Sequence, residues 1–276
     1  MIIKELLKKG FNELKNTHDY MLKAKILLAY CLGESKEYLI IHYNDEVNSK
    51  VEENYLKGIQ RLKNGEPLQY IIQKAEFFGL EFFVDKNVLI PQPDTEILVE
   101  EVLEKFSDKK EILDLCTGSG AIAISLKKNL INSQVYASDI SYKALEITKK
   151  NAKINLVDIN LIKSDLFENI DKKFELIVSN PPYIESDLIN QLSLEVQSEP
   201  ILALDGGKDG LDFYRRIIKD AKKYLKKDGI LILEIGFNQK ENVINILEKE
   251  GYIEIYSKKD YSGNDRIVIR KKIGGK

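Results

Sequence analysis

Ile112-Leu-Asp-Leu-Cys-Thr-Gly-Ser-Gly-Ala-Ile-Ala-Ile124 is the stretch from which the fold is read. An apolar run ends at Leu115, and Gly118-x-Gly120-x-x-Ala123 then opens an amphipathic stretch reaching to about Leu130. A buried strand that turns sharply into a helix has this pattern. The glycines permit the turn and let backbone N–H groups approach a ligand, and the helix N-terminus favours its negative end. A second strand-like run, Gln134-Val-Tyr-Ala-Ser138, leads to Asp139, nineteen residues beyond Gly120. That is the position of an acid that accepts hydrogen bonds from ribose hydroxyls. The glycines alone also suit a plain βαβ crossover with a surface Asp. Strand, loop, helix, strand and acid in that order favour a nucleoside site, for which a dinucleotide and S-adenosylmethionine are both candidates.

Working outward, strands and helices alternate. Strands are expected near 111–115, 134–138, 160–163, 174–179 and 230–235, with a helix at about 211–226 stopped by Lys-Lys-Asp228-Gly229. Tyr252-Ile-Glu-Ile-Tyr256 and Arg266-Ile-Val-Ile-Arg270 follow without a helix between them, so they should be antiparallel neighbours. The expected α/β fold is therefore a seven-stranded Rossmann-like sheet of the methyltransferase type, five parallel strands plus an antiparallel C-terminal pair.

Phe174-Glu-Leu-Ile-Val-Ser179 runs into Asn180-Pro181-Pro182-Tyr183, at a strand's carboxyl end, where open α/β sheets place their ligands. A Pro-Pro pair cannot continue a central strand and has no N–H to donate. It leaves carbonyls on a stiff turn beside an Asn amide and a Tyr ring, the parts that hold a planar NH2 group. The tetrapeptide alone also reads as a rigid Asx-type turn without chemistry.

Residues 1–64 show helical periodicity, with Leu22, Ile26, Leu27 and Tyr30 forming one apolar face, and suggest a small N-terminal helical bundle. Residues 65–95 read as a linker with a β-hairpin at Phe77-Phe-Gly-Leu-Glu-Phe-Phe-Val84, and Asp94-Thr95 as a helix cap. Residues 96–276 are expected to form the domain built on the seven-stranded methyltransferase-type sheet. The net charge of −2 argues against the basic surface of a duplex-binding enzyme. No long uncharged apolar run suits a membrane span, and the N-terminus carries an acid early and lacks a cleavable apolar core, unlike a signal peptide. Cys31 and Cys116 lie far apart with no Cys/His cluster, so a reduced, cytoplasmic, metal-free protein is expected.

Nearly the whole chain resembles the bacterial release-factor glutamine methyltransferases (the PrmC or HemK family). The segments that carry this are Gly65-Glu-Pro-Leu-Gln-Tyr70, Leu89-Ile-Pro-Gln-Pro-Asp-Thr-Glu96, Asp114-Leu-Cys-Thr-Gly-Ser-Gly-Ala-Ile-Ala123, Val178-Ser-Asn-Pro-Pro-Tyr-Ile184 and Leu204-Asp-Gly-Gly-Lys-Asp-Gly-Leu-Asp-Phe-Tyr214. The resemblance implies methyl transfer from S-adenosylmethionine, leaving S-adenosylhomocysteine, to the side-chain amide of the Gly-Gly-Gln glutamine in class 1 release factors. It implies a monomer whose helical domain, 1–64, recognises the protein substrate, with no stable nucleic-acid or membrane partner.

On this resemblance Asn180 and Pro181 are the catalytic residues, and Asn180, Pro181, Pro182 and Tyr183 bind the substrate amide. Thr117, Gly118, Ser119, Gly120 and Ala121 pass beneath the methionine part of the cofactor, which Asn180 also borders. Asp139 takes the ribose, Asp114 the ammonium directly or through water, and Asp165 and Leu166 the adenine. Asp165 and Leu166 also read as ordinary strand-end residues. The sequence departs from the family at Gln92, usually Arg, and at Cys116, usually Gly. Cys116 fits as a buried inert thiol provided its φ is negative. His18 and His42 lie away from every motif, and Glu195/Glu199 are expected to solvate a loop or support the substrate wall. The nearest alternatives are an adenine-N6 or cytosine-N4 nucleic-acid methyltransferase, which uses a similar loop on an exocyclic amine, and the related ribosomal-protein glutamine methyltransferase.

Overall fold

The computed structural model describes residues 1–273, and contact density divides them into two units: Met1–Gln73 with Leu192–Ser198, and Lys74–Gln191 with the rest from Glu199 on. The first unit is helical: α1 (Ile3–Leu14), α2 (Tyr20–Leu32), α3 (Lys36–Ile41), α4 (Ser49–Lys63) and α5 (Leu68–Ile72). α1 buries Ile3, Leu6, Leu7, Gly10 and Leu14, the spacing of one helical face. Gly10 is required there, because a Cβ would sit 2.0 Å from the hydroxyl of buried Tyr55 on α4. α4 starts where the Asn48 side chain accepts from the Val51 N–H at 2.9 Å. On α2 the buried stripe is Ala24, Leu27, Leu28 and Ala29, whereas Leu22 and Tyr30 are exposed, contrary to the face expected from periodicity. The helix is apolar nearly all round, so the larger side chains did not mark the packed side.

The second unit opens with the hairpin β1 (Ala75–Phe77) and β2 (Leu80–Phe82). A 3-10 turn, Pro93–Thr95, leads into α6 (Glu96–Lys105). The Thr95 side chain makes no capping bond; it is buried and turned toward Asn180, so the expected cap is absent. Then come β3 (Glu111–Leu115), α7 (Ala121–Asn129), β4 (Gln134–Asp139), α8 (Tyr142–Ile154), β5 (Asn160–Lys163) and β6 (Phe174–Ser179). A 3-10 stretch, Ser186–Gln191, precedes α9 (Leu194–Gln197, part of the helical unit), α10 (Ile201–Leu204) and α11 (Asp212–Tyr224). The chain closes with β7 (Leu225–Glu234), α12 (Lys240–Lys249), β8 (Tyr252–Lys259) and β9 (Asp265–Ile273).

The seven strands lie in the order β5-β4-β3-β6-β7-β9-β8, parallel from β5 to β7, with β9 antiparallel to β7 and to β8. This is the mixed sheet expected from the sequence. β3 and β6 are covered on both faces, which explains their near-continuous apolar runs. One strand starts earlier than expected. α11 ends at Tyr224, and Asp228-Gly229 lies inside β7, where Asp228 has a φ of +57° and the pairing with β6 shifts register. Glycine beside a left-handed residue marks an irregular strand here rather than a helix stop.

Because the chain runs outward from β3 through β4 to β5 and then returns to place β6 on the other side of β3, strand order reverses between β3 and β6. The loops at the carboxyl ends of those two strands diverge at that point and leave a crevice.

Candidate active site

A cavity of about 460 Å³ opens at the crevice, within the size range of small-molecule sites. From the first loop it is lined by Cys116, Thr117, Gly118, Ser119 and Ala121, from the next two by Asp139, Asp165 and Leu166, and from the β6 end by Asn180 and Pro182. Thr95, Gln92, Leu202, Phe213 and Arg216 complete much of the wall. Two residue groups about sixty positions apart in sequence thus share one space.

Gly118 has a φ of +56°, and a Cβ on it would meet nothing within 4 Å, so the loop there is bare backbone facing open space. Gly120 differs. It has a φ of +83°, and its missing Cβ makes room for Thr148 of α8, whose Cγ2 would lie 2.6 Å away. It is outside the cavity lining and serves helix packing. Asp139 accepts from the Gly118 N–H at 2.9 Å and the Ser141 N–H at 2.8 Å, one bond per oxygen, so each oxygen keeps a second acceptor site. Burial raises its pKa, opposed by the backbone N–H groups of Ser141, Gly118 and Ile140. Asp165 pairs through one oxygen with the Arg216 guanidinium at 2.8 Å.

Asp114 lies where the sequence did not lead us to expect it. It is fully buried and does not line the cavity. Its Oδ2 accepts from the Thr117 hydroxyl at 2.6 Å and the Ala123 N–H at 3.3 Å, while Oδ1 has no partner. It therefore ties the glycine loop to α7 from beneath, and a direct bond from a ligand in the cavity is not part of this arrangement. Burial pushes its pKa up to about 7 from an ordinary 3.8, with the Thr117 hydroxyl opposing. A carboxyl with a raised folded pKa binds more protons folded than unfolded between those values, so it costs stability as pH rises from about 4 to about 7. Asp114→Asn should remove that cost. The stability of the variant relative to wild type is expected to climb across this window and level off above it, as read from denaturant midpoints. A difference independent of pH would show the carboxyl ionised throughout.

Cys116 has a φ of +59°, so the negative φ expected for it is wrong. A residue with a Cβ in the left-handed region is disfavoured by about 1–2 kcal/mol. The tight exit from β3 sets the conformation, and Cys116 is half-buried in the cavity lining, where desolvation raises the thiol's pKa. Cys116→Gly is expected to raise stability by about 1 kcal/mol in thermal or chemical unfolding, since glycine takes this φ without the steric cost. Unchanged or lower stability would mean that packing by the thiol outweighs the strain.

At the end of β6, the Asn180 Nδ2 donates to Thr95 Oγ1 at 3.3 Å, and the Glu234 carboxylate, the last residue of β7, also lies against the Asn180 amide and the Thr95 hydroxyl. Among the described residues no donor is seen on the Asn180 Oδ1. Pro181 is buried and, with Tyr183, lies outside the cavity lining, whereas Pro182 is part of it. The loop is held from behind. Gln239 Nε2 donates to the Tyr183 carbonyl at 2.9 Å and to the Gly210 carbonyl at 3.2 Å, and its Oε1 accepts from the Gly236 N–H at 3.0 Å. A Cβ on Gly206 would lie 2.7 Å from Tyr183 Cα and 2.9 Å from the Pro182 carbonyl oxygen, which accounts for glycine in Asp205-Gly-Gly-Lys-Asp-Gly210. Glu199 accepts from the Ile90 N–H at 2.8 Å and so supports the wall, while Glu195 pairs with Lys23 within the helical unit.

Thr95, Glu234, Gln239 and Arg266 were not expected at the site. Glu234 carried a signal as the single charge in Ile230-Leu-Ile-Leu-Glu-Ile235, an otherwise apolar strand end, and Thr95 one as part of the Leu89–Glu96 segment, where it read as a cap. Burial pushes it up to about 7, opposed by Thr95, Arg266 and Asn180. Arg266 pairs with Asp260 at 2.9 Å and with Asp94 at 3.0 Å. Among the described residues no group of His, Cys, Asp and Glu could hold a metal ion, and no helix is long and apolar enough to cross a membrane.

Comparison with known proteins agrees with this geometry. The methyltransferase small domain family matches residues 91–201, and the PrmC N-terminal domain matches residues 5–72. A methyltransferase from Pyrococcus furiosus shares the fold, with a TM-score of 0.55 and 20% identity over 80% of this chain and 100% of that one. The chain is 40% identical to a release factor glutamine methyltransferase of Clostridium botulinum, over 99% of this chain and 100% of the relative. It is 44% identical to that of Clostridium acetobutylicum, over 98% of each. With such identity along essentially its full length, and with the glycine loop and the Asn-Pro-Pro-Tyr turn brought to one cavity, this chain belongs to the release factor glutamine methyltransferase family.

Proposed function

We propose that this chain transfers a methyl group from S-adenosylmethionine to the side-chain amide nitrogen of the Gly-Gly-Gln glutamine in class 1 release factors. The observation that carries the proposal is the Asn180 amide: Nδ2 turned to Thr95, Oδ1 unpartnered, on a side chain that lines the cavity. The cavity's residues fit the cofactor. Bare backbone at Gly118, the open acceptor sites of Asp139 and the apolar cover of Leu166 suit, in turn, a compact polar tail, a ribose and a purine.

When bound, S-adenosylmethionine supplies a methyl group on a positively charged sulfur that leaves readily. The chain's task is the other half, because an amide nitrogen is a poor nucleophile whose lone pair is delocalised into its carbonyl. Asn180 Oδ1 and the Pro181 carbonyl accept the two N–H bonds of the glutamine, hold its nitrogen in one direction, and stabilise positive charge as it develops there. Pro182 walls the glutamine's aliphatic part and, with Tyr183 behind it, keeps water from the site. Asp139 holds the ribose, and Thr117, Ser119 and Ala121 line the loop beneath the tail. Asp165 and Leu166 flank the adenine, with Arg216 sharing the Asp165 carboxylate.

The helical residues, 1–64 in particular, recognise the protein substrate. The net charge of −2 supports a protein partner over a nucleic acid, and a cytoplasmic monomer is the form in which the chain works. Mass spectrometry after incubation with cofactor tests the whole proposal. The Gly-Gly-Gln peptide of the release factor should gain one methyl group in place of a proton. Equal or better methylation of duplex DNA or of RNA would overturn it.

A further inference from the structure

Asn has two faces of nearly the same shape, an oxygen that accepts and an NH2 that donates, and its neighbours decide which one points where. At Asn180 those neighbours lie on the inner side. Thr95 Oγ1 accepts from the Asn180 Nδ2 at 3.3 Å, and because Ser179 of β6 pairs with Leu233 of β7, Glu234 follows beside Asn180, with its carboxylate acting on the Asn180 amide and the Thr95 hydroxyl. Glu234 is 2% exposed, does not line the cavity, and keeps its Oε2 without a hydrogen-bond partner. An ionised carboxylate accepts and never donates, and with burial pushing its pKa up to about 7 Glu234 is in that state above neutral pH, where the test below is run. Arg266 lies near enough to act on Glu234 electrostatically, but its guanidinium is hydrogen-bonded to Asp260 and paired with Asp94.

The two orientations of the Asn180 amide are therefore unequal. With NH2 inward, donors meet acceptors. With NH2 outward, the amide oxygen would press on a buried carboxylate, and the outward NH2 would meet the NH2 of the substrate, donor against donor. We propose that Glu234 is a positioning residue that fixes the Asn180 amide with its oxygen toward the methyl-accepting nitrogen. This rests on the reading of the site as the holder of a glutamine amide.

The test compares wild type, Glu234→Gln, Asn180→Asp and the double variant in steady-state methylation of a class 1 release factor. Gln at 234 presents an N–H as readily as an oxygen, so Glu234→Gln should lower kcat by about tenfold, the scale of one hydrogen bond to a charged group. KM for the factor and affinity for S-adenosylmethionine should stay within about twofold, since the group acts through orientation and not through binding. In Asn180→Asp the two oxygens are equivalent, so nothing is left to orient, and two carboxylates face one another. There Glu234→Gln should leave kcat unchanged or raise it. The same loss in both backgrounds would mean a merely structural Glu234 and overturn the proposal, as would wild-type kcat in Glu234→Gln.

A reading that needs no substrate comes from the Asn180 side-chain NH2 signals in 15N-labelled protein, assigned by their absence in Asn180→Asp. These protons should be protected from hydrogen exchange and lose that protection in Glu234→Gln; unchanged exchange overturns the proposal. Where Asn180→Asp turns over too slowly to measure, the single-variant kcat and the exchange decide. Failure of wild type to methylate the factor would strike the proposed function and leave the exchange measurement to judge the orientation.

Discussion

Asn180→Ala is expected to lower kcat for release-factor methylation by about 10²–10³, roughly 3–4 kcal/mol of transition-state stabilisation. The alanine keeps the strand end and both prolines but removes an acceptor oxygen that no donor among the described residues uses. Affinity for S-adenosylmethionine should change less than kcat, because the oxygen serves the methyl acceptor first. Some loss of stability should accompany it, since Thr95 and buried Glu234 lose a donor, about 1–3 kcal/mol. Asn180→Asp is the informative companion. It still accepts hydrogen bonds and should retain part of the turnover that Ala forfeits, less what its repulsion with Glu234 takes away. Near-wild-type kcat for Asn180→Ala at saturating substrate would make the turn structural and the mechanism wrong.

The fold was legible because its signals are local. A strand, a glycine turn and a helix lie within Ile112–Ile124, and Asp139, which lines the same cavity, ends the very next strand. The antiparallel ending was legible for the same reason, since two strands with no helix between them have few other ways to pair. What stayed hidden depends on distance or on backbone angle. Leu192–Ser198 packs with the helical unit although it lies more than a hundred residues downstream. Thr95 looked like a cap and serves Asn180, eighty-five positions away. Asp114 and Gly120 sit in the right motif, yet neither lines the cavity: Asp114 is buried beneath the loop, bonded to Thr117 and Ala123, and Gly120 makes room for Thr148 of α8. The sign of φ at Cys116 is fixed by the turn and not by the residue, so the cysteine itself hid the left-handed conformation, which only the glycine usual at this position hinted at.

Gly210→Ala should reduce kcat by about 10², the cost of moving reacting groups by about 1 Å. Gly210 lies outside the cavity lining, yet a Cβ on it would sit 2.4 Å from the Tyr183 carbonyl oxygen and 2.6 Å from Gln239 Nε2. Those two atoms form the clamp behind the Asn-Pro-Pro-Tyr turn, joined at 2.9 Å. A flexible side chain could swing away from a new methyl group. The Tyr183 carbonyl cannot, because it belongs to the backbone that Pro181 and Pro182 stiffen. Relief must come from shifting the turn, and with it Asn180, or from breaking the Gln239 bond that holds it. The φ of +69° adds a steric cost of about 1–2 kcal/mol to folding, so lost stability alone would not identify the cause. Gly251→Ala separates the two. Its φ is +76° and nothing lies within 4 Å of the added Cβ, so it suffers the backbone strain without the collision. Both variants should unfold more easily, but only Gly210→Ala should lose turnover, with S-adenosylmethionine affinity retained in each. Equal kcat in the two would show that the turn keeps its geometry without the clamp, and that Asn180 is aimed by Thr95 and Glu234 alone.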